Sequence, residues 1–455
     1  MSERQQVLRY FRENRDFFDT TIAEETAKNR TRAATLCVKA ADGTPIPGAD
    51  VRIVLKNHEF RFGCNLFMLD EFDAVENNAV YRDKFAQIFN LATLPFYWSD
   101  QEPTRGMKRY AKDSPRRYRR PPAELCLEYC AEHAIEPKAH CLNYDNFRPV
   151  WVRSMTIDEH KAALEARFAE LADRFADRIP SWEVTNETFN IPFIRENLKP
   201  TYSDFYLEED YVAWSFAMAK KYFPANRLII NDHTDFGRMR SLLGDYFGVR
   251  SPYFMQIKAL TADPAIKLDS IGFQYHCFFD KENERQVAHA RYNPLHLWDI
   301  LETYARLGRR QQITEMTVSA LGTSDEDEEI QSELVENLFR VFFAHKSSEA
   351  IVYWNLPDGY ASGGRPGDLT AGENRYCGGL LRYDLSEKPA YRVLDRLIRH
   401  EWHTDVSVVT DASGRASFRG YHGDYAAEIH AGGRTVTLPL TLASAENDEL
   451  VLRLP

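Results

Sequence analysis

Two glutamates lie near the ends of apolar, strand-like segments, where a carboxylate is unusual. Glu187 ends "IPSWEVTNE", directly after Asn186, and Glu315 lies within "QQITEMTV". Placing a charge in a buried strand costs free energy unless the charge has a partner or a use. A pair of carboxylates can supply the acid, the base or the nucleophile for cleavage of a glycosidic bond. We therefore predict that Glu187 and Glu315 meet at one site.

Further polar and aromatic side chains end other short apolar segments of the chain. They are His140, Asn186, Asn231, Asp232, Gln274, His276 and Trp354. Amides and imidazoles hydrogen-bond sugar hydroxyls, and an indole ring offers a flat face to a pyranose. Each residue taken alone has a structural alternative, such as a salt-bridged glutamate, a structural histidine or a core tryptophan. Their occurrence together favours a carbohydrate site.

Other chemistries lack their sequence signatures. No cysteine and histidine cluster has the spacing of a zinc site, and no serine occupies a GxSxG turn. We therefore expect no metal and no cofactor. The seven cysteines are odd in number and form no CxxC pair, which is typical of a reducing compartment.

The short apolar segments alternate with amphipathic stretches of helical period. The segments are "FRFGCNLF", "LATLPFYW", "IEPKAHCLNY", "IPSWEVTNE", "RLIINDH", "SIGFQYH", "QQITEMTV" and "AIVYWNL". Eight strand–helix units predict an α/β fold of the (β/α)8 TIM barrel type. The alternative is a doubly wound open sheet, which favours a glycine-rich turn after its first strand. "FGCNLFMLDEF" is not such a turn.

The flanks of the barrel have different patterns. Residues 1–32 carry an apolar stripe at helical spacing and predict a helix. Residues 33–58 and 404–455 alternate with period two around turns rich in glycine, proline and aspartate. We expect these two stretches to complete one small β-sandwich beside a catalytic barrel at 59–403.

The bulk composition restricts the class of partner. The net charge of −11 argues against a general nucleic-acid binder. The N-terminus has no signal peptide, and no apolar run is long enough to cross a membrane. We expect a cytoplasmic protein with an oligosaccharide substrate. The sequence leaves the oligomeric state open.

The motifs that carry the two glutamates resemble those of a known family. "WEVTNE" and "ITEM" look like the acid/base and nucleophile motifs of glycoside hydrolase family 10, the xylanase family. Further likenesses follow in chain order, in "KAHCLNYDNFRPVW", "LIINDH", "DSIGFQYH", "IVYWNLPDGY" and "EKPAYRVL". The resemblance runs from about residue 60 to residue 400.

The resemblance implies a role for each matching residue. Glu187 would be the general acid and base, and Glu315 would be the nucleophile of a retaining double displacement. The implied substrate-binding residues are His140, Asn186, Gln274, His276, Trp354, Tyr144, Trp98 and Tyr97. No metal ligand is implied.

Several residues depart from the family pattern, and the first group corresponds to a motif that binds the sugar on the non-reducing, glycone side of the cleavage point. The family's Glu-Asn-x-x-Lys-Trp corresponds here to "TLPFYW", so Thr93, Leu94 and Tyr97 replace three polar residues. Each neutral hydrogen bond lost in this way is worth roughly 0.5–1.5 kcal/mol. Tyr144 replaces a tryptophan, and Thr317 replaces an aspartate that orients the histidine corresponding to His276. We interpret this as a divergent member with an altered glycone-side subsite.

The sequence thus predicts a retaining, endo-1,4-β-xylanase-like hydrolase of carbohydrate metabolism and polysaccharide degradation, acting on xylan-type oligosaccharides or related plant glycans. One alternative is a non-catalytic carbohydrate-binding protein on a family 10 barrel. Another is an exo-acting β-glycosidase for a decorated or non-xylan glycoside, and a third is a metal-dependent hydrolase. The basic run "RRYRRPP" is expected to be a solvated loop.

Overall fold

The computed structural model describes residues 4–190, 203–208, 210–233, 248–444 and 449–455. The strands are β1 (Thr31–Lys39), β2 (Asp50–His58), β3 (Arg61–Asn65), β4 (Leu91–Pro95), β5 (Glu136–Asn143), β6 (Ser181–Asn186), β7 (Arg227–Asp232), β8 (Ser270–His276), β9 (Arg310–Thr317), β10 (Ser348–Tyr353), β11 (Asp405–Val409), β12 (Arg415–Tyr421), β13 (Gly423–Ala431), β14 (Arg434–Leu442) and β15 (Glu449–Arg453). They divide between one closed barrel and two small sheets.

The barrel consists of β3 to β10, hydrogen-bonded in chain order and closed by the β10–β3 pair. All of its strand pairs are parallel. Parallel strands in this arrangement are covered on both faces, which explains why they are buried along most of their length. The predicted (β/α)8 TIM barrel is confirmed. The carboxyl ends of all eight strands lie at one mouth, where barrel enzymes hold their reactive groups.

Helices cover the outside of the barrel. The helices described are Arg9–Glu13, Arg15–Phe17, Ala23–Arg30, Val75–Ile88, Trp98–Gln101, Ala123–Glu132, Ile157–Phe175, Asp204–Glu208, Tyr211–Tyr222, Pro252–Ala262, Lys281–Arg291, Pro294–Ala305, Asp325–Ala344 and Pro389–Arg396. Helix Ile157–Phe175 begins with a capping box formed by Thr156 and Glu159. Its buried residues Leu164, Phe168 and Leu171 follow the helical period that places them against the sheet. Among the residues described, no helix is long and apolar enough to cross a membrane.

The N-terminal segment differs in detail from the single helix that its apolar stripe predicts. It is a series of short helical turns, with a wider turn at Phe18–Ile22, and β1 begins at Thr31 rather than at residue 33. Leu8, Phe11, Phe18 and Ile22 are buried against the barrel. The apolar stripe in the sequence therefore predicts the buried face correctly, whereas the positions of the helix breaks depend on packing against the barrel.

The remaining strands form two sheets that share one apolar core. One sheet has the order β12-β1-β15, and the other has the order β11-β2-β13-β14. Along β2 the residues alternate, so that Val51, Ile53 and Leu55 are buried while Asp50 and Arg52 are exposed. Strands from both ends of the chain thus pair within each sheet, as the period-two pattern predicts.

The shared core of these two sheets predicts a matched difference in stability. Ile53 is fully buried, whereas Val409, in the adjacent strand β11, is 61% exposed. Ile53→Ala should lower the free energy of unfolding by about 2–5 kcal/mol, because it leaves a cavity. Val409→Ala should change it by less than about 0.5 kcal/mol. Urea denaturation followed by circular dichroism measures both, and equal losses in the two variants would contradict a common core.

Candidate active site

The two predicted carboxylates lie at the barrel mouth. Glu187 directly follows β6 and is partly buried, and Glu315 is near the end of β9 and only 4% exposed. Glu187 has a positive φ of 51°, a conformation that costs a residue with a Cβ of the order of 1–2 kcal/mol. Its backbone N–H donates to the carbonyl oxygen of Asn231 at 3.1 Å, which holds this turn in place. Such local strain is typical of functional positions.

Three nitrogen donors surround the Glu315 carboxylate. Asn231 Nδ2 donates to Oε1 at 2.7 Å, and Gln274 Nε2 donates to the same oxygen at 3.0 Å. His276 Nε2 lies 3.1 Å from Oε2. Hydrogen bonds to a carboxylate stabilise its ionised form, and they are stronger than bonds between neutral groups. The site therefore offers this buried carboxylate the partners that its charge requires.

Gln274 connects the two carboxylates. Its Nε2 also lies 3.3 Å from Oε1 of Glu187 and 3.1 Å from Oδ1 of Asn186. The register of the strands explains this convergence, since Gln274 is opposite Glu315 and Asn186 is opposite Asn231. Two oxygens within reach of one nitrogen are necessarily close to each other. The structure thus brings Asn186, Glu187, Gln274 and Glu315 together.

Burial and the neighbouring charges determine how Glu315 titrates. Burial raises the pKa of Glu315 to about 8, the nearby His140 acts to lower it, and Glu183 and Glu187 raise it. The hydrogen bond from Asn231 also lowers this pKa. The carboxylate is therefore held in balance between desolvation, which favours the neutral acid, and the donors, which favour the ion.

His276 links Glu315 to Thr317, which occupies the position of the expected aspartate. Burial lowers the pKa of His276 to about 4, so the imidazole is neutral near pH 7. Its Nδ1 lies 3.0 Å from Thr317 Oγ1. With Glu315 ionised, Nε2 must carry the proton, and Nδ1 then accepts from the threonine hydroxyl. Thr317 can therefore fix the donor tautomer without charging the ring.

His140 belongs to a buried charge network. Its Nδ1 donates to Glu183, whose other oxygen accepts from the Lys138 ammonium. Burial lowers the pKa of His140, but the charge of Glu183 and its hydrogen bond raise it above the usual value overall. Burial raises the pKa of Glu183, whereas Lys138 and His140 lower it, and the net direction is down. The charge of Glu183 thus favours the protonated form of His140 beside the site.

The same group has the spacing of a metal site but not its charge. His140, Glu183 and Glu315 each place one donor atom within 4.8 Å of the others. Since the Lys138 ammonium and the His140 ring already compensate Glu183, an added cation would meet like charge. The donor set fits an ion-pair network better than a metal centre.

An aromatic wall lies beside the carboxylates. We use this term for Phe67, Tyr97, Trp354, Tyr144 and Phe147, which pack as one cluster. Trp354 contacts the rings of Phe67 and His140 at 5.2 and 5.5 Å, and Tyr97 stacks on Phe147 at 4.1 Å. The predicted residues Tyr97, Tyr144 and Trp354 therefore lie together, and His140 joins them to the charge network.

Tyr144 also contacts a carboxylate directly. Its hydroxyl donates to Glu187 Oε2 at 2.6 Å, and Asn146 Nδ2 donates to the same hydroxyl at 3.1 Å. The pKa of Tyr144 is raised well above its usual value by burial and by Glu187. The phenol therefore remains a hydrogen-bond donor at all moderate pH values. The oxygen that replaces an expected indole thus acts on the carboxylate of Glu187.

The expectation of a solvated loop for "RRYRRPP" holds for Arg116 and Arg117, whose side chains are 52% and 45% exposed, but it is wrong for the two arginines that follow. Arg119 is 5% exposed and donates to the carbonyl oxygen of Tyr360, and burial lowers its pKa. Arg120 lies 4.4 Å above the Tyr97 ring and pairs with Asp100 at 2.7 Å. Their aliphatic stems and planar heads pack behind the aromatic wall, a contact that the charge of the sequence does not reveal.

The structure does not bring Trp98 to the other predicted residues. Its ring packs against Trp151 at 5.3 Å and near His160 at 6.0 Å, in the main core of the barrel. Its indole N–H donates to Glu102 at 3.1 Å. Tyr97 and Trp98 are adjacent in the chain but point to different surroundings, because the chain turns into helix Trp98–Gln101 at this point.

Sequence reasoning missed Lys138 and Glu183, and it left Asn231 without a role. The signal was present, because Lys138 and His140 are two residues apart in a strand and share a face. Glu183 is a charge within a buried strand and is opposite His140 in the register. A buried charge requires a partner, so this alternation predicts a network when the strands are known to be neighbours.

This network leads to a stability prediction that a double-mutant cycle can measure. Lys138 and Glu183 are both fully buried. Glu183→Leu alone should cost about 3–5 kcal/mol, because it leaves a buried ammonium without its partner. Lys138→Met combined with Glu183→Leu should recover much of this loss. Urea denaturation of the two single variants, Glu183→Leu and Lys138→Met, and of the double variant gives the coupling energy, and additive losses would show that the two side chains do not depend on each other.

The sequence profile of Glycosyl hydrolase family 10 matches residues 57–394. Anti-sigma-I factor RsgI6 of Acetivibrio thermocellus is 24% identical over 89% of this chain and 46% of its own length. Endo-1,4-beta-xylanase 2 of Arabidopsis thaliana is 24% identical over 88% of this chain and 32% of its own length. The chain thus spans from about a third to about a half of these curated relatives.

Solved structures share the fold of the barrel. Native xylanase 10B of Thermotoga maritima superposes with a TM-score of 0.57 at 21% identity, covering 75% of this chain and 96% of the other. Xylanase 10B of Thermotoga petrophila, in complex with xylobiose, has a TM-score of 0.56 at 21% identity, covering 75% and 95%. The profile match covers most of the chain and includes both glutamates. The chain therefore belongs to glycosyl hydrolase family 10.

Proposed function

We propose that this protein is a retaining glycoside hydrolase that cleaves β-glycosidic bonds in xylan-type oligosaccharides by double displacement. The observation that carries this proposal is the position of Gln274 Nε2, within 3.3 Å of Glu187 and 3.0 Å of Glu315. Retaining enzymes hold their two carboxyl groups roughly 5–5.5 Å apart, whereas inverting enzymes separate them by roughly 6.5–9.5 Å. Two carboxylates on one nitrogen fit the shorter distance.

In the first step, Glu315 attacks the anomeric carbon and forms a glycosyl ester, while the glycosidic C–O bond breaks. Glu187 gives its proton to the leaving oxygen. In the second step, Glu187 takes a proton from water, whose oxygen displaces Glu315 and restores the free enzyme. The three donors on Glu315 stabilise its ionised form, the form that attacks, against the burial that raises its pKa. Asn186 has the role of binding the sugar hydroxyl next to the reacting carbon in this proposal.

The glycone side supports a short substrate. Thr93 and Leu94 are fully buried, and the Thr93 hydroxyl has no hydrogen-bond partner, so neither presents a polar group to a sugar. Tyr97 is 5% exposed and packed in the aromatic wall. A substrate with few sugar units beyond the cleavage point needs few contacts there. This observation favours exo-like cleavage of short or decorated xylo-oligosaccharides as the variant of the proposal to test.

A second candidate function is a carbohydrate-binding sensor without turnover. The relative named anti-sigma-I factor RsgI6 aligns with nearly the whole of this chain, so a family 10 barrel also occurs within a protein named for regulation. The retention of both carboxylates and of every donor around Glu315 supports the enzyme instead, because binding alone does not require a nucleophile.

Leaving-group dependence distinguishes the two glutamates. Glu187→Gln should reduce kcat/KM on an alkyl or unactivated xyloside by about 10²–10⁴-fold, because the leaving oxygen then lacks its proton donor. On a dinitrophenyl xyloside, whose leaving group needs no proton, the rate of bond cleavage by the same variant should fall far less. Glu315→Gln should abolish turnover on both. Glu136→Gln, at the opposite end of the barrel, is the matched control and should retain activity.

The outcomes separate the candidates. Equal loss on both substrates in Glu187→Gln would contradict its role as the acid. Wild-type protein that binds xylo-oligosaccharides but cleaves none of them, with the same affinity in Glu315→Gln, would replace the enzyme by the sensor.

A further inference from the structure

A cavity of about 450 Å³ lies at the opposite end of the barrel from the carboxylates. The starts of β3, β7, β9 and β10 form one side of it, and the sandwich and the N-terminal segment form the other. Its lining residues are Arg30, His58, Glu59, Phe60, Arg61, Arg227, Arg310, Phe343, Glu349, Tyr421, His422 and Ser444. Pockets of this size hold small organic molecules.

The charges of this cavity do not balance. Four arginines line it, with only two carboxylates, Glu59 and Glu349. Ser444 donates hydrogen bonds to both carboxylate oxygens of Glu59, from its backbone N–H at 2.8 Å and from its hydroxyl at 2.5 Å. The Ser270 hydroxyl and the Gln312 amide donate to Oε1 of Glu349 at 2.6 and 2.7 Å. These carboxylates are therefore already partly satisfied by neutral donors.

The arginines share the little negative charge that remains. Arg227 lies 3.2 Å and Arg310 lies 3.7 Å from the same oxygen of Glu349. Arg61 pairs with Glu136 at 2.7 Å, outside the cavity lining. One carboxylate oxygen thus serves two guanidinium groups, which leaves a net positive charge on the barrel side of the cavity.

Arg30 adds positive charge on the side of the cavity that faces the barrel strands. It is 7% exposed and donates to the carbonyl oxygens of Phe343, His345 and Ser348, with no carboxylate among these partners. Its pKa falls to about 9, first because of burial and then because of the charge of Arg310, while the charge of Glu59 opposes this fall. The two guanidinium groups therefore repel each other across the cavity.

A neighbouring cavity of about 630 Å³ has the same sign. It shares Arg310 and is also lined by Lys220, Lys267, Arg309 and Lys346, with Asp269 as its only carboxylate. Since the whole chain carries a net charge of −11, this concentration of cations runs against its overall charge. A local positive field of this kind attracts anions.

We propose that the cavity between the barrel and the sandwich is a binding site for a phosphate group, carried by a small molecule or free in solution. Guanidinium groups bind phosphate through pairs of parallel N–H donors, and a dianion supplies the charge that Glu59 and Glu349 do not. The side chains of Arg227 and Arg310 are 31% and 49% exposed, so both can reach a phosphate bound in the cavity. This site is independent of the proposed glycosidase activity.

Occupancy would have a mechanical consequence. Arg30 ends the N-terminal segment, Arg227 and Arg310 begin barrel strands, and Ser444 follows β14 of the sandwich. A ligand that neutralises the repulsion among the arginines stabilises the packing of the N-terminal segment, the barrel and the sandwich against one another. Binding to the native state alone raises the unfolding temperature in proportion to the logarithm of the ligand concentration, once this exceeds Kd.

The test is the thermal unfolding of the full chain during a titration with inorganic phosphate, with ionic strength kept constant by sodium chloride. We expect the unfolding temperature to rise with phosphate and calorimetry to give a single site. Arg310→Gln should weaken binding about tenfold or more, because one charge-assisted bond is lost. Its side chain is 49% exposed, so the variant is expected to fold. Arg52→Gln, an exposed arginine of β2 paired with Asp405, is the matched control.

Further arms identify the occupant and exclude the barrel mouth. Tighter binding of a sugar phosphate than of inorganic phosphate would support an organic phosphate, and equal binding would support the free ion. The same titration on Glu315→Gln should be unchanged, which separates this site from the carboxylates. The proposal would be overturned if chloride alone raised the unfolding temperature as much as phosphate does, or if Arg310→Gln kept the full rise. Binding of glucuronate with the same affinity as phosphate would also overturn it.

Discussion

The burial of the Glu315 carboxylate is the constraint on which the site depends. A charge with 4% exposure is tolerated only where donors replace the lost water. Asn231 of β7 and Gln274 and His276 of β8 supply those donors, and the register of these two neighbouring strands sets their positions. In the proposed mechanism these donors would need no reorganisation when charge develops at the reacting carbon, because their strands are fixed in a closed barrel. This preorganisation is the physical basis of electrostatic catalysis.

Hydroxyl groups modify both carboxylates of this protein. Tyr144 acts directly on Glu187, and Thr317 acts on Glu315 through His276. A hydroxyl can donate or accept and remains neutral, so it adjusts a neighbouring proton without adding a charge to a crowded site. Both residues stand where the family pattern has a different side chain. These two differences from the family pattern therefore change hydrogen bonds at the carboxylates and not only the shape of the pocket.

The two ends of the barrel have opposite electrostatic character. The mouth concentrates Glu183, Glu187 and Glu315, compensated by Lys138 and His140. The opposite end concentrates arginines and lysines around a few carboxylates. Between them the barrel interior holds buried polar residues, and Ser270, Gln312 and Thr314 hydrogen-bond to Glu349 and Asn231. The two small sheets contribute residues to the lining of the cationic end.

The sequence by itself determined the number of barrel strands, the pairing of N- and C-terminal strands in small sheets, and most of the groups at the mouth. Apolar runs and alternation report which face of an element is buried, and a polar residue at the end of such a run is visible without any structure. Only the tertiary structure decided that Glu183 joins Lys138 to His140, that Gln274 serves two carboxylates, that Trp98 turns into the core, and that Arg119 is buried. Each of these depends on strand register or on the path of a loop, and these contacts lie between residues that are distant in the chain. Periodicity is a local property and cannot specify such contacts, whereas the closed barrel fixes them all together.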